Sequence, residues 1–472
     1  MTPDRLISGS TSTGNNGRSP TFDLFSVDTA EGRSDIANGR RFSEHHRNKV
    51  RWVHAWKKWV AYDGRRWKID DDGRVARLGK GISDLLWVES RKSGNKRAFA
   101  FAARSAESGR VNAMLTMAST EPEMSITPEQ LDRDPWLLNC EDGTLHLRTG
   151  RLRQHNRDDF LTKLAPIHFD YERPAPLWLQ FLDDVLASKA ELIGYMQRLI
   201  GYSLTGTTSE HVLLILYGTG ANGKSVFVNT ILSLLGQDYC LKAPSDLLLA
   251  KQGAHPTERA DLFGKRFIAT NETDDGRRLS EALVKELTGG DKVRARRMRE
   301  DFWEFSPTHK IWLATNHKPQ VRGTDHGIWR RLKVVPFTVT IPNEQQDKQL
   351  ETKLLEEKAG ILAWAVRGCI DWQRSGLQEP EVVTRATDEF RHDQDLIGSF
   401  IDDRCEEWED AEIGATWIYR TYVDWCRENG EEELNQRRFG QALTERGIGK
   451  RKSGGSIMRL GLRLKIQGPL DH

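Results

Sequence analysis

Residues 211–235 read HVLLILYGTGANGKSVFVNTILSLL. The stretch opens on an apolar run, Val212–Tyr217, of strand length and composition. Gly218-Thr219-Gly220-Ala221-Asn222-Gly223-Lys224-Ser225 follows and fits G-x-x-x-x-G-K-[ST]. After it, Val226, Thr230, Ile231, Leu234 and Leu235 recur at helical spacing. Strand, glycine-rich loop and helix form the context in which this pattern binds phosphate. Glycines let successive backbone N–H groups face an anion without Cβ interference. The helix N-terminus adds partial positive charge. Lys224 is placed to reach β- and γ-phosphates, and the Ser225 hydroxyl to ligate Mg²⁺, so ATP and Mg²⁺ are the expected ligands. The structural alternative is a glycine-rich turn in a buried βα unit.

Outward from that stretch, the 472 residues are enough for about three domains. The chain is 38% apolar and 29% charged, a soluble balance. No apolar run approaches the ~20 residues of a spanning helix, and the polar N-terminus lacks a signal-peptide core. Five cysteines, none in C-x-x-C spacing, argue against a zinc ribbon and for a reduced, cytoplasmic setting. The formal charge of +2 hides an asymmetry. Residues 402–433 carry twelve acids and three arginines, whereas 437–465 carry nine Lys/Arg and one Glu. A basic face is therefore expected near the C-terminus.

Upstream, residues 1–45 are rich in Ser, Thr, Gly, Asn and Arg and read as a disordered tail or linker. Residues 46–206 read as an N-terminal α+β domain. Lys58–Tyr62, the Asp63-Gly64 turn and Arg66–Ile69 predict a β-hairpin. Trp52, Trp56, Trp59 and Trp67 among Arg and Lys either stack on bases or form the hairpin's own core; the second reading is simpler. Asp70-Asp71-Asp72-Gly73 reads as a turn rather than a metal site. Helices are expected over 84–134 and 177–206, with a strand–turn–strand between them near Cys140.

The runs PWLLNCEDGTLHLRTG (135–150), DDFLTKLAP (158–166), GYMQRLIGYSLTG (194–206) and LYGTGANGKSVF (216–227), in that order, resemble the phage/plasmid primase–helicase family. That family comprises the poxvirus-type and satellite-phage helicases of superfamily III, within the AAA+ ATPases. The similarity runs from about residue 36 to the C-terminus. It implies an AAA+ P-loop core over 207–345, a helical extension over 346–412 and a winged-helix domain over 413–472. It also implies a ring, hexameric in the family, moving 3′ to 5′ on single-stranded DNA and unwinding duplex at replication initiation. Many relatives carry a primase domain upstream, where this chain shows a short polar tail. The expectation is that the primase half is missing and that a separate primase or initiator is a partner. A phage or mobile element in a bacterial host is the implied source.

Within the core, a strand over Lys265–Thr270 ends in Asn271-Glu272. An acid at the tip of a strand beside the P-loop can polarise the attacking water. Many AAA+ proteins have two acids here; this chain has Asn271 first, which leaves Glu272 as the base and Mg²⁺ to Ser225, phosphates and water. Glu272 as a plain surface carboxylate is the alternative. Residues 285–305 bring six cations and two acids together between Lys285 and Arg299. Lys292, Arg294, Arg296, Arg297 and Arg299 suit a phosphate backbone, and in the family this region is a hairpin projecting into the ring's channel. A solvated basic helix is the other reading.

A third strand, Lys310–Thr315, ends in Asn316, matching the sensor-1 position. Gly327–Phe337 resembles the family's arginine-finger region, with Arg330 the first choice and Arg331 the second. A finger completes the neighbouring subunit's site. In the C-terminal segment Asn435 caps a helix bearing Arg437 and Arg438, and Lys450, Arg451 and Lys452 lead into a wing tip suited to duplex DNA. A winged helix used for protein contacts is the alternative there. The leading function is a replicative helicase. Against it stand an ATP-dependent origin-binding or loading protein without processive unwinding, and a DNA-stimulated NTPase.

Overall fold

The computed structural model describes residues 26–250, 257–272, 277–296, 301–321 and 326–465. Two compact units emerge. One runs to Leu131 and includes Phe160–Thr162; the other holds Asp132–Asp159 and everything from Lys163 onward.

The first unit contains α1 (Asp35–His46), β1 (Val50–Val53), β2 (Lys58–Tyr62), β3 (Trp67–Ile69), α2 (Arg74–Ser93), α3 (Lys96–Ser105), α4 (Ser108–Ala118) and β4 (Ser125–Ile126). Its sheet has the order β3-β2-β1-β4. The hairpin β2–β3 is present, its turn held by Asp63 Oδ1, which accepts from the Arg65 and Arg66 N–H groups at 2.8 and 2.9 Å. Trp67 is buried and stacks on Phe160, so at least this tryptophan is core. The acidic turn starts a helix: the two Asp70 carboxylate oxygens accept from the Arg74 and Val75 N–H groups.

The expected tail over 1–45 is corrected at its end. Residues 35–46 are helical, with the Ser34 hydroxyl accepting from the Ala37 N–H at 3.1 Å. Phe42 is fully buried with Val50, Ala61, Val75, Ile82 and Met114. One well-placed aromatic outweighs a polar local composition.

The second unit opens with an antiparallel meander, β5 (Leu137–Cys140), β6 (Gly143–His146) and β7 (Arg151–Arg153). Then come α5 (Pro176–Val185), α6 (Ala190–Leu204), β8 (Leu213–Tyr217), α7 (Lys224–Tyr239), β9 (Cys240–Lys242), α8 (Thr257–Ala260) and β10 (Phe267–Glu272). They are followed by α9 (Glu281–Thr288), β11 (Val293–Ala295), β12 (Trp303–Phe305), β13 (Lys310–Thr315), α10 (His326–Trp329) and β14 (Leu332–Pro336). The meander and α5–α6 belong with this unit rather than with the N-terminal one, so the break falls inside 46–206. The reason is packing: Leu138, Leu145, Trp178, Leu199 and Ile200 share one core with Leu214, Leu216 and Phe227.

The central sheet is parallel throughout, in the order β14-β8-β13-β10-β9. Alternate residues serve two cores. Leu214, Leu216, Phe267, Ala269, Trp312 and Val335 face α5–α7. Leu213, Ile215, Ile268, Ile311, Leu313, Leu332 and Val334 face α9 and the ribbon β11–β12. A sheet buried on both faces needs continuously apolar strands, which is how Leu213–Tyr217 reads. The acid-tipped strand was expected beside the P-loop strand, and this is corrected: β13 lies between β8 and β10. All six positions of β13 are buried, so it occupies the centre, while the three-residue β9 takes the edge.

Beyond the sheet lie α11 (Leu350–Glu356), α12 (Lys358–Ser375), α13 (Glu381–Asp393), α14 (Leu396–Arg404), β15 (Cys405–Gly414), α15 (Ala415–Asn429), α16 (Gln436–Glu445), β16 (Lys450–Ser453) and β17 (Ser456–Leu464). α6 and α12 meet through glycines: a Cβ on Gly201 would lie 2.1 Å from the Cys369 backbone N, and one on Gly368 2.1 Å from the Gln197 carbonyl O. α14–α16 and the sheet β15-β17-β16 enclose their own core around Phe400, Tyr422, Phe439 and Leu462. The acidic stretch after Asp402 becomes the exposed strand β15, where Glu406 pairs with Arg463 and Glu412 with Arg451, both at 2.7 Å. All five cysteines are buried and unpaired with one another. Among the described residues no helix is long and apolar enough to cross a membrane.

Candidate nucleotide and nucleic-acid sites

β8 ends at Tyr217, and the chain turns through residues 218–223 into α7. Gly223 requires its glycine: φ is +81°, and a Cβ would lie 2.5 Å from Val185 Cγ1. Gly218 is closed in too, with Asn222 Nδ2 2.2 Å from the position of a Cβ. The loop is tied to β14 and beyond, since Phe337 N donates to Tyr217 O (2.7 Å) and Ile341 N to Ala221 O (2.8 Å).

Lys224, in the first turn of α7, folds back over this loop. Its Nζ donates to Gly218 O (2.6 Å), Asn222 Oδ1 (2.9 Å) and Asn316 Oδ1 (3.0 Å). None of the three acceptors is charged. Burial lowers the Lys224 pKa from 10.5 to about 8. A buried ammonium held only by neutral oxygens, at the positive end of a long helix, is matched by a polyanion. Ser225 beside it is exposed. Among the described residues no cluster of three His, Cys, Asp or Glu side chains could hold a metal.

Strand register lines up the remaining tips. Glu272 is level with Thr315, and Thr315 with Tyr217. Asn316 follows β13 directly and joins Lys224; Glu272 closes β10, two strands from β8. The crevice at the carboxyl ends of a parallel sheet is where α/β proteins bind ligands. Arg330 and Arg331 lie elsewhere. They precede β14, whose Leu332 pairs with Leu213 at the start of β8, so they stand at the opposite end of the sheet. Arg330 is exposed. Arg331 is pinned, its carbonyl accepting from Leu213 N at 2.8 Å and its guanidinium donating to Gly327 O.

The basic cluster after α9 is a two-stranded antiparallel ribbon, with Arg294 opposite Glu304 and Ala295 opposite Trp303. Lys292 and Arg294 are exposed and Arg296 is half-buried. Arg297 and Arg299 lie outside the described residues. Phe302, unnoticed in the sequence, sits against two of these cations. The sequence signal for it is an aromatic three residues after Arg299, beyond Glu300 and Asp301. In the C-terminal segment the Asn435 side chain accepts from Arg438 N at 3.0 Å, as a cap should. Arg437, Arg438, Lys450, Arg451 and Lys452 are all exposed, Arg451 engaging Glu412. The hairpin β16–β17 turns at Gly454-Gly455.

Residues 39–187 match the family described as D5 N terminal like, and residues 392–447 match Poxvirus D5 protein-like. The chain belongs to the D5-type primase–helicase family. Residues 216–331 of this D5-type chain, which hold the Lys224 loop and the ribbon, match a family of unknown function (DUF5906). The chain is 27% identical over 328 residues to "Putative helicase L207/L206" of Acanthamoeba polyphaga mimivirus, covering 63% of this chain and 34% of that protein. It is 24% identical over 332 residues to a "Putative primase" of African swine fever virus, covering 64% and 34%. The D5-type chain thus spans about a third of the length of these curated relatives. Among solved structures, the A form apo structure of the NrS-1 C terminal region aligns at TM-score 0.48 and 13% identity, covering 87% of this chain and 95% of that one.

Proposed function

We propose that the chain is an ATP-driven DNA helicase motor of the D5 type, with an AAA+ P-loop core, a winged-helix C-terminal segment and an active site completed by a neighbouring subunit. The observation that carries this is the Lys224 ammonium, buried at the N-terminus of α7 and held by Gly218, Asn222 and Asn316. Lys224 exchanges these neutral acceptors for β- and γ-phosphate oxygens. The loop N–H groups hold the remaining phosphate charge. Asn316, released from Lys224, is free to orient the attacking water and a γ-phosphate oxygen without adding charge. Glu272 accepts the proton of that water. The Ser225 hydroxyl would hold Mg²⁺, which would supply positive charge to the transferring group.

Arg330 supplies the remaining cation in trans. Five strand residues, about 16 Å, separate its end of the sheet from the loop after Tyr217. That is further than an arginine side chain extends. Its exposure, against the pinned geometry of Arg331, favours Arg330 as the finger. An open patch acting on the next copy makes head-to-tail contacts, which close into a ring. The ribbon cations Lys292, Arg294 and Arg296 serve a DNA strand. Arg437, Arg438 and Lys450–Lys452 serve duplex phosphates. A separate primase fits this arrangement as a partner.

Lys224→Ala tests the reading. It should abolish ATP turnover while salt-sensitive duplex binding through the C-terminal segment persists; hydrolysis equal to the parent's would sink the assignment. Strand displacement on forked DNA separates a helicase from a loading protein or a DNA-stimulated NTPase.

A further inference from the structure

The ribbon β11–β12 has two unlike faces. Val293, Ala295 and Phe305 are buried, and Trp303 packs edge-on against Phe263 with ring centroids 4.8 Å apart. By the two-residue alternation of a strand, Arg294, Arg296, Phe302 and Glu304 fall on the other face. Phe302 is the odd member. It is 45% exposed, although the inner, apolar face is one residue away. The Arg294 guanidinium carbon lies 4.4 Å from its ring centroid and that of Arg296 4.9 Å. Both cations come from the neighbouring strand, so the ring leans across β11 and leaves surface open. Glu304 stands opposite Arg294 in register, yet the Arg294 guanidinium lies on the ring.

An exposed ring flanked by two cations combines the two elements that grip a single strand: a stacking surface and positive charge for the backbone. Duplex bases are already stacked on one another and offer no free face, so the ring selects a strand whose bases are open. We propose that Phe302 stacks on a base of single-stranded DNA while Arg294 and Arg296 hold the flanking phosphates. The inference rests on the reading of the ribbon as a DNA contact, and adds that this contact grips bases as well as charge.

The test uses the full chain with a non-hydrolysable ATP analogue and two fluorescent probes of equal phosphate count. One is an oligo-dT strand and the other an abasic strand. Phe302→Ala should weaken oligo-dT binding on the order of 5–150-fold, the contribution of one stacked base, and leave abasic binding unchanged. Its salt slope should match the parent's, and Phe302→Trp should restore oligo-dT affinity. Arg294→Ala/Arg296→Ala should instead weaken both probes and flatten the slope by roughly 1.4, for two single-strand phosphates lost. If Phe302→Ala weakens both probes equally, or neither, the stacking role is wrong while the ribbon reading stands. If the double arginine variant also leaves both probes untouched, the ribbon itself is not the DNA contact.

Discussion

Three uncharged oxygens hold the Lys224 ammonium, and burial brings its pKa down to about 8. Phosphates favour the charged form, so nucleotide binding raises that pKa. Well below pH 8 the lysine is already protonated and binding takes up no proton through it. Above pH 8 binding draws a proton from solution and affinity falls as pH rises. Calorimetry in two buffers of different ionisation heat should therefore show proton uptake near pH 9 and little near pH 6.5; Lys224→Arg should show it at neither. His309 gives a second pH signature. It is 2% exposed, and its pKa is pushed from 6.5 to about 3, first by burial and then by neighbouring Lys310. The folded state resists protonating it, so its contribution is full above pH 6.5 and is lost as pH falls toward 3. Denaturation of His309→Phe should lose stability less steeply between pH 6 and 4 than the parent does. The two residues differ in how readable they were. Lys224 is specified by a local spacing that the loop's own geometry demands. The cations beside His309 and Phe302 lie close in the chain, at Lys310 and at Arg294 and Arg296; the burial of the one and the cross-strand lean of the other depend on tertiary packing and ribbon register that local spacing does not carry.

Among the elements, the contact of α6 with α12 is set by backbone proximity. Gly201→Ala and Gly368→Ala each drive a methyl to about 2.1 Å from the opposing helix's backbone. Backbone cannot step aside as a side chain can, so each should cost about 3 kcal/mol or more, read by urea unfolding. Gly194→Ala, on the same helix with only the Arg198 tip nearby at 3.4 Å, should be neutral or stabilising by up to about 1 kcal/mol. Helix existence was legible here from apolar spacing; the reason for the glycines was not, since it lies in the partner helix. The same limit explains the strand order. Each core strand could be read singly from its apolar run. That β13 separates β8 from β10 follows only from which strand is buried at every position. Helix α1 failed to show because ten polar or small neighbours and an exposed Ile36 masked one buried aromatic, Phe42, and its cap, Ser34.

At the scale of the whole molecule, the two ends of the parallel sheet carry different chemistry: Lys224, Asn316 and the end of β10 at one, Arg330 at the other. If Arg330 is the finger, Arg330→Ala should leave nucleotide binding intact and lower kcat by about 10³–10⁵. Mixing Arg330→Ala with Glu272→Gln chains should recover activity, because some interfaces then pair an intact Glu272 with an intact Arg330. Mixed samples no more active than either parent variant would place Arg330 outside the reaction. This architecture was readable only in part from the sequence. Arg330's position in the chain was marked by the strand that follows it, but its placement away from the Lys224 loop needed the parallel register of β8 and β14. That separation reaches into ordinary assay practice. On the proposed reading, an isolated copy holds both halves of a catalyst and cannot bring Arg330 to its own loop. Hydrolysis per milligram should therefore collapse on dilution and rise steeply with protein concentration, long before any DNA is added.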